Sequence, residues 1–395
     1  MSFEHYLRSG DKMLRCGYTT GTCAALASMG AAQMLLTGSV PEAIHLLTPK
    51  GLEVTVQPKE CARDTEGAHC SIRKDSGDDP DVTNGVLVTA HVSRIPQPGV
   101  KIEGGSGVGR VTRPGLDQPV GEAAINHVPR QMITEAVEQV CDDCGYDGGI
   151  QVIISVPGGE ELAKQTFNPN LGIEGGISIL GTSGIVEPMS EKAYIDTINV
   201  EVRQAAVEGG HRLILAPGNY GLHYIQERGL DSLNIPVVKF SNYLGEALDA
   251  AKLYEFQQVL LVGHIGKLVK VAGGIMNTHS RMADCRRELF TAHAAVCGAS
   301  TEVCRNLMQA DTTDSCLSIL EQAGLRESVM ASLIQSIQGA LNRRAKDAYQ
   351  CGAVVFSNQF GLLGMTETAK EILTQWQNEK VNASVSASGR GTRNC

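Results

Sequence analysis

Four short apolar segments alternate with helical patterns in the second half of the chain, and this alternation restricts the fold more than any other feature. The segments are five residues long and lie at 212–216, 236–240, 258–262 and 352–356. Strands separated by helices form parallel sheets through right-handed crossovers. We therefore predict a doubly wound α/β domain with a four-stranded parallel sheet. Ligands of such sheets bind beyond the carboxyl ends of the strands.

Small and polar residues follow all four predicted strands. After the first three strands they are Pro217, Gly218, Asn219, Ser241, Asn242, Gly263, His264 and Gly266, and Ser357 follows the fourth. Because these ends converge at one edge of a parallel sheet, they predict a binding edge. A common pattern for nucleoside cofactors has glycines after the first strand and an acid ending the second. Here no acid follows the second strand until Glu246, so this pattern is incomplete.

The first half of the chain begins with a polar loop that leads into a helix of small residues, between Leu14 and Gly38. Thr19, Thr20 and Thr22 are candidate N-caps, and Gly38 is a plausible end of the helix. A helix start also suits an anion, because it presents unpaired N–H groups. Two interpretations remain open: a helix packed in a core, and a close approach to a flat ligand.

A glycine-rich segment follows at residues 102–116. Gly104, Gly105, Gly107 and Gly109 can expose backbone N–H groups, and Arg110 and Arg113 come directly after them. The segment is either an anion-binding loop or a glycine-rich hairpin, and its spacing does not fit a dinucleotide-binding motif. If it bound a nucleotide phosphate, the protein would be a kinase-like enzyme. The later segment from Gly263 to Lys267 is too short for a phosphate loop, and Leu268 stands where that loop needs Ser or Thr.

The length of 395 residues indicates two domains. We place the first at residues 1–195, the second at 196–378, and a disordered tail at 379–395. The other elements that we expect are two strands around a turn within 43–56, a loop over 64–83, strands at 85–92 and 149–156, and helices at 132–140, 191–209, 313–347 and 365–378.

Charge and composition exclude several classes of protein. The formal net charge is −9 and aromatic residues make up 4% of the chain, which argues against binding of nucleic acid or of an anionic membrane surface. We find no signal-peptide pattern and no bilayer-spanning run, so we expect a cytoplasmic protein whose 12 cysteines are free thiols. Metal or redox roles are disfavoured for the lone pair Cys141 and Cys144 and for His264, His279 and Cys285, since compact ligand spacing is missing.

Four segments occur together in an order typical of one family: residues 14–25, 102–130, 166–190 and 263–284. They include Tyr-Thr-Thr-Gly-Thr-Cys at 18–23 and Gly-Thr-Ser-Gly-Ile-Val-Glu-Pro at 181–188. In this respect the chain resembles the CbiD family, the cobalt-precorrin-5B C(1)-methyltransferases of anaerobic cobalamin synthesis. The family usually has proline where this chain has His127, so we assign His127 no role.

The resemblance implies an enzyme that transfers a methyl group from S-adenosylmethionine to carbon 1 of cobalt-precorrin-5B and yields cobalt-precorrin-6A. It also implies an N-terminal α+β domain for the substrate and a C-terminal α/β domain for the cofactor. The cobalt arrives inside the substrate, so no protein-bound metal is required. A non-catalytic tetrapyrrole carrier is the alternative, and homo-oligomerisation stays open.

We assign site residues on this basis, without a catalytic side chain. The expected cofactor-binding residues are Gly181, Thr182, Ser183, Gly184, Pro217, Gly218, Asn219, Ser241, Asn242, Gly263, His264 and Gly266. The expected substrate-binding residues are Arg15, Thr19, Thr20, Gly21, Thr22, Arg110, Arg113, Glu187, Lys267, Asn277, Thr278, His279, Arg281 and Asp284.

Overall fold

The computed structural model describes residues 3–9, 12–166, 168–169 and 171–388, and it divides the chain into two compact units. The division falls between Glu191 and Lys192, whereas the sequence places it after residue 195. No helix within the described part of the chain is long and apolar enough to cross a lipid bilayer.

The first unit contains short strands and three helices. The strands are β1 (Tyr6–Ser9), β2 (Lys12–Arg15), β3 (Gly17–Tyr18), β4 (Ile44–Leu47), β5 (Glu53–Val56), β6 (Glu60–Arg63), β7 (Ala68–Arg73), β8 (Leu87–Ile95), β9 (Val100–Gly104), β10 (Gly107–Val108), β11 (Arg110–Val111), β12 (Gly149–Ser155), β13 (Ile173–Glu174), β14 (Gly176–Ile177) and β15 (Ile185–Val186). The helices are α1 (Thr20–Thr37), α2 (His127–Asp143) and α3 (Gly159–Ala163).

One five-stranded sheet organises this unit, in the order β6-β7-β8-β12-β9. Neighbouring strands are antiparallel except β12 and β9, which are parallel. The predicted loop over 64–83 is wrong at its centre, because β7 lies inside the sheet. Its sequence, Ala-His-Cys-Ser-Ile-Arg, carries few strongly apolar residues and is flanked by Asp and Gly, so its burial depends on neighbours distant in sequence.

The small-residue helix α1 is packed in the core of the first unit. Thr19 is its N-cap and Gly38, with a φ of 75°, is its C-cap, so both predicted ends are confirmed. A Cβ added at Gly30 would lie 2.7 Å from the Cys70 sulfur and 2.5 Å from the end of the Ile44 side chain. The helix therefore needs small residues for close contact with its own sheet, and the packing interpretation explains them.

The second unit alternates strands and helices. Its strands are β16 (Arg212–Ala216), β17 (Val237–Lys239), β18 (Gln258–His264), β19 (Gln350–Ser357) and β20 (Gly361–Met365). Its helices are α4 (Glu191–Gly209), α5 (Asn219–Glu227), α6 (Leu244–Leu253), α7 (Ile265–Ala272), α8 (Arg286–Val296), α9 (Thr301–Gln309), α10 (Thr313–Gln322), α11 (Arg326–Ala345) and α12 (Glu367–Ser388), with a 3₁₀ turn at Leu230–Leu233.

The sheet of the second unit has five strands in the order β17-β16-β18-β19-β20. The four strands predicted from sequence are parallel to one another. The predicted four-stranded parallel sheet is nevertheless corrected to a mixed one, because β20 adds an antiparallel edge strand. Gly361 and Gly364 lie in β20, and both have positive φ. Because glycine is uncommon inside strands, the sequence of this segment does not indicate one.

Apolar side chains cover both faces of this sheet. Leu213, Val259 and Val355 face one core with residues of α6, α7 and α11. Ile214 and Leu260 face the other core, together with Trp376 of α12. This helix continues to Ser388, where the sequence predicts disorder from residue 379. Residues 389–395 of that predicted tail lie outside the described residues.

The glycine-rich segment of the first unit offers a test of its packing role. A Cβ added at Gly107, where φ is 72°, would lie 1.9 Å from the Val156 carbonyl oxygen; at Gly85, where φ is 80°, it would meet nothing within 4 Å. Both alanine variants incur the left-handed backbone cost of about 1–2 kcal/mol. We expect Gly107→Ala to lower the free energy of unfolding by about 2 kcal/mol more than Gly85→Ala does, because its Cβ clashes with the Val156 carbonyl oxygen.

Urea unfolding followed by circular dichroism measures both variants against the wild type. Equal destabilisation of Gly107→Ala and Gly85→Ala would contradict the proposed packing constraint.

Candidate functional site

The order of the parallel strands creates a crevice at their carboxyl ends. The chain runs from β16 outward to β17 and then returns past β16 to β18, so the strand order reverses at β16. Leu215 is paired with Leu261 and His264 with Phe356, so the ends of β16, β18 and β19 are neighbours. Such a reversal is where ligands bind in open α/β sheets.

The loop after β16 leaves room at this crevice. Gly218 is the N-cap of α5 and its backbone is extended. A Cβ added there would meet nothing within 4 Å. A Cβ at the next glycine, Gly221, would lie 3.0 Å from the Val262 carbonyl oxygen. Gly221 therefore brings α5 close to β18, whereas Gly218 borders open space beside Pro217 and Asn219.

His264 ends β18 and caps the following helix α7. Its Nδ1 accepts a hydrogen bond from the Gly266 backbone N–H at 3.0 Å. Its ring lies edge-on to Phe356, with 5.7 Å between the ring centroids. Burial lowers the pKa of His264, and the charge of Asp314 opposes this only in part. Because Nδ1 accepts an N–H, His264 is a neutral cap whose Nε2–H remains a donor.

Lys267, in the first turn of α7, extends to the loop after β17. Its Nζ donates to the Ser241 carbonyl oxygen at 2.8 Å. Ser241 has a φ of 53°, an uncommon conformation for a residue other than glycine. Burial lowers the pKa of Lys267, and the nearby Lys270 charge lowers it further. Within the described ranges no carboxylate forms an ion pair with Lys267.

The segment after α7 packs onto the same loop. The Asn242 carbonyl accepts from the Thr278 backbone N–H at 2.9 Å, and Asn277 forms an isolated bridge with Tyr243. Lys270 is only 2% exposed and donates to the Thr278 carbonyl at 3.0 Å, and its Nζ lies 3.8 Å from an Asp284 oxygen. The structure therefore brings together four residues that the sequence predicts for ligand binding: Asn242, Asn277, Thr278 and Asp284.

The exposed end of this segment is held by local hydrogen bonds. The His279 N–H donates to the Asn277 side chain and the Arg281 N–H to His279 Nδ1, each at 3.1 Å. Asp284 forms an ion pair with Arg286, which lowers the pKa of Asp284. Asp284 is therefore a partnered surface carboxylate rather than a free acid.

Two residues at this edge are absent from the predicted binding set. The Ser357 hydroxyl, at the end of β19, donates to Asp314 Oδ1 at 2.7 Å. It also accepts the backbone N–H groups of Gln359 and Phe360. Asp314 lies in the first turn of α10, some 50 residues beyond β18 in sequence, and its spacing to the strand motifs gives no signal.

The predicted threonines at the start of α1 are buried and bonded within the first unit. The Thr22 hydroxyl donates to the Gly184 carbonyl at 2.6 Å, and the Thr20 hydroxyl bonds to the Leu180 backbone. The Thr19 side chain accepts from the Thr22 N–H, while the Gly21 N–H donates to the Leu180 carbonyl. The helix start is thus joined to the segment 180–184, and these N–H groups are not free for an anion.

The segment 181–184 has mainly packing contacts in this unit. A Cβ at Gly181 would lie 2.4 Å from the Thr19 hydroxyl oxygen, and one at Gly184 would lie 2.8 Å from Thr48 Cβ. The Ser183 hydroxyl donates to the Ile185 carbonyl at 3.0 Å. Thr182 is exposed and leaves its hydroxyl available. These four residues belong to the first unit, whereas the other predicted cofactor residues belong to the second.

Most predicted charged residues of the first unit already have partners. Arg15 forms a two-pronged ion pair with Asp75, at 2.7 and 2.8 Å. Glu187 forms an ion pair with Lys50. Arg110 contacts Glu103 at 3.0 Å but remains half exposed, and Arg113 is exposed. The pairing with Asp75 argues against the direct role predicted for Arg15, since this side chain holds the segment that leads into α1.

The backbone of the glycine-rich segment is also occupied. The Gly105 N–H donates to the Ile154 carbonyl at 2.7 Å and the Gly109 N–H to the Ile177 carbonyl at 2.9 Å. The Gly104 N–H donates to the Glu103 side chain at 2.8 Å. An anion-binding loop needs free N–H groups, so this geometry argues against that interpretation and against the kinase-like enzyme that depended on it.

No cluster of three metal-ligating side chains occurs in the part of the chain that the structure describes. The eleven cysteines within that part, from Cys16 to Cys351, are free thiols.

The fold and this edge define an α/β protein with a crevice at the carboxyl ends of the parallel strands of its second unit. Residues 7–188 match the family described as CbiD, and residues 277–367 match the CbiD C-terminal domain. A relative from Ruminiclostridium cellulolyticum is 49% identical over 90% of this chain and 92% of its own length. Another from Alkaliphilus metalliredigens is 41% identical over 96% and 99%. The chain therefore belongs to the CbiD family.

Both relatives carry the name cobalt-precorrin-5B C(1)-methyltransferase. A crystal structure described as a cobalamin biosynthesis protein (cbiD) from Archaeoglobus fulgidus is 31% identical, with a TM-score of 0.38. The match covers 71% of this chain and 87% of that one.

The half-buried side chain of Lys267 predicts how the stability of the folded chain changes with pH. The pKa of Lys267 in the folded chain lies below the 10.5 of an exposed lysine. Between these two values the unfolded chain binds more protons, so the Lys267 contribution to stability rises with pH. We expect the melting temperature of the wild type, minus that of Lys267→Met, to increase as pH rises across this window.

Calorimetric melting at several alkaline pH values measures this difference, with Lys252→Met on an exposed helix end as the control. The control should show no such trend. A difference that falls with pH for Lys267→Met would contradict the desolvation of this ammonium.

Proposed function

We propose that the chain methylates carbon 1 of cobalt-precorrin-5B with S-adenosylmethionine as the donor. The family and the names of its relatives support this methyl transfer in cobalamin synthesis. A non-catalytic tetrapyrrole carrier is not favoured, because the relatives are named as enzymes. The donor is inferred from the reaction class, since methyltransferases generally use this cofactor.

One observation carries the placement of the cofactor. The loops after β16, β17 and β18 converge where the strand order reverses, and helices cover both faces of the sheet. This arrangement supports a doubly wound domain that binds a nucleoside cofactor. The residues fit such a ligand, because Gly218 borders open space and the Lys267 ammonium has no carboxylate partner among the described residues.

For methyl transfer the protein mainly has to align the methyl donor with the ring carbon that accepts the methyl group. When bound, S-adenosylmethionine supplies a methyl group on a sulfonium, which an electron-rich ring carbon can attack without further activation. Good orientation of two reactants can supply about 7–11 kcal/mol. Backbone groups at the carboxyl ends of the strands hold one reactant, and a dry site protects both from water. No side chain of the crevice needs to act as a nucleophile.

We propose that exposed cations bind the carboxylates of the macrocycle. Arg110 and Arg113 in the first unit and Arg281 in the second are exposed, in a chain whose net charge is −9. Each charge-assisted hydrogen bond would contribute about 1.5–3 kcal/mol. We assign the first unit to the substrate and the second to the cofactor. The threonines at 19–22 then support the substrate unit from within.

Titration calorimetry with S-adenosylhomocysteine, the methyl-transfer product, tests the cofactor site. We expect saturable binding to the wild type and at least a tenfold weaker affinity in Gly218→Val. Valine can adopt the extended backbone, and its Cβ would meet no neighbour within 4 Å, so it should block the ligand while leaving the fold intact. Asp284→Ala should keep the wild-type affinity, because its carboxylate is paired with Arg286 at the surface.

Loss of binding in Asp284→Ala alone would move the cofactor to the segment 277–284. A wild type that binds no S-adenosylhomocysteine, with or without the macrocycle, would contradict the methyltransferase proposal and favour the carrier.

A further inference from the structure

Opposite charges stand at the two ends of the ligand-binding edge. Lys267 is anchored at the end of β17 through the Ser241 carbonyl. Asp314 is anchored at the end of β19 through the Ser357 hydroxyl. The strands between them follow the order β17-β16-β18-β19. Three strand spacings separate the two anchors, a distance of about 14 Å.

The cation at the first end lacks a compensating charge. An ammonium has three N–H donors, and Lys267 uses one on a carbonyl. Among the residues that the structure describes, no acid forms an ion pair with it, and Lys270 adds a like charge nearby. A bound carboxylate would accept the remaining donors and offset the cost of desolvating this side chain.

The anion at the second end keeps accepting capacity. One carboxylate oxygen of Asp314 accepts from Ser357, and no described donor contacts the other. The first turn of α10 favours a negative charge at this position. An ionised carboxylate accepts hydroxyl donors such as those of a sugar. The Asp314 charge also acts on His264, which places it at the end of β18 as well.

We propose that the cofactor lies along this edge in one direction, with its amino-acid carboxylate on Lys267 and its ribose hydroxyls on Asp314. This inference rests on the proposed function. It moves Lys267 from the substrate-binding to the cofactor-binding residues. It also assigns to Asp314 the role of the acid that commonly ends the second strand and is missing there in this chain. The middle of the ligand then passes the end of β16, where Gly218 leaves room.

The reverse direction is unfavourable on electrostatic grounds. It would place the carboxylate of the ligand against Asp314 and leave the Lys267 ammonium without an anion. Like charges in a partly desolvated site repel, whereas an opposite charge near Lys267 offsets its burial. The direction is therefore determined by the two ends of the site rather than by its centre.

Calorimetry with matched ligands tests the direction. 5′-Methylthioadenosine lacks the amino-acid carboxylate, and the 2′-deoxy and 3′-deoxy analogues of S-adenosylhomocysteine each lack one ribose hydroxyl. We expect Lys267→Met to weaken S-adenosylhomocysteine by about 10- to 100-fold while changing methylthioadenosine less than threefold. Asp314→Asn should weaken the binding of S-adenosylhomocysteine and of methylthioadenosine, which both keep the two ribose hydroxyls, by about tenfold. The same variant should leave the affinity for at least one deoxy analogue unchanged.

Matched surface variants control for charge alone. Lys252→Met in the last turn of α6 and Asp311→Asn just before α10 remove exposed charges, and both should bind as the wild type. Ser357→Ala removes the internal hydrogen bond of Asp314 but keeps the carboxylate. It should therefore weaken binding less than Asp314→Asn, and a greater loss in Ser357→Ala would contradict the role of the carboxylate.

Two results would overturn the proposed direction. One is an equal loss of methylthioadenosine and S-adenosylhomocysteine in Lys267→Met. The other is that Asp314→Asn loses as much affinity for the two deoxy analogues as for S-adenosylhomocysteine, which would mean that Asp314 only supports α10. If no nucleoside binds the wild type, the proposed function itself fails, and this outcome is distinct from binding with the wrong pattern.

Discussion

Parallel pairing among β16, β17 and β18 is the constraint on which the candidate site depends. Their backbone hydrogen bonds fix the register, with Ala216 opposite Lys239 and Leu215 opposite Leu261. Because all of these strands point the same way, the loops after them must emerge at one edge. Polar groups that are distant in sequence thereby become neighbours. A short side-chain network then refines the edge, with Lys267 bonded to Ser241 and Asp314 bonded to Ser357.

The first unit uses its sequence motifs differently. Its glycines and threonines resemble anion-binding elements, yet their donors are engaged within the unit. The Thr22 hydroxyl and the Gly105 N–H both donate to main-chain carbonyls. Small residues here allow backbones to approach one another, since a Cβ at Gly109 would lie 2.8 Å from the Gly176 carbonyl oxygen. A family motif can therefore specify a packing arrangement whose function is to hold other residues in place.

Local patterns in the sequence were sufficient for the regular core but not for its edges. The predicted parallel strands and the caps of α1 are correct because apolar runs and capping residues act locally. The strand β7 was missed because its stability comes from β6 and β8 on either side. The candidate site at the strand ends is a prediction from the same local patterns. Those patterns give no sign of Asp314, because only the packing of α10 against the end of β19 brings it there.

The net charge of the chain limits how it can recognise an anionic ligand. A chain of net charge −9 does not attract a polyanionic macrocycle or a carboxylate over long distances. Recognition must then come from short-range contacts, where partial burial strengthens each charged interaction. Lys267 fits this requirement, since it is desolvated and its protein partner is a neutral carbonyl. Burial of this ammonium without an acid partner among the described residues costs the folded chain free energy. In the proposed site an anionic ligand would offset that cost, so the desolvation that weakens the fold would strengthen binding.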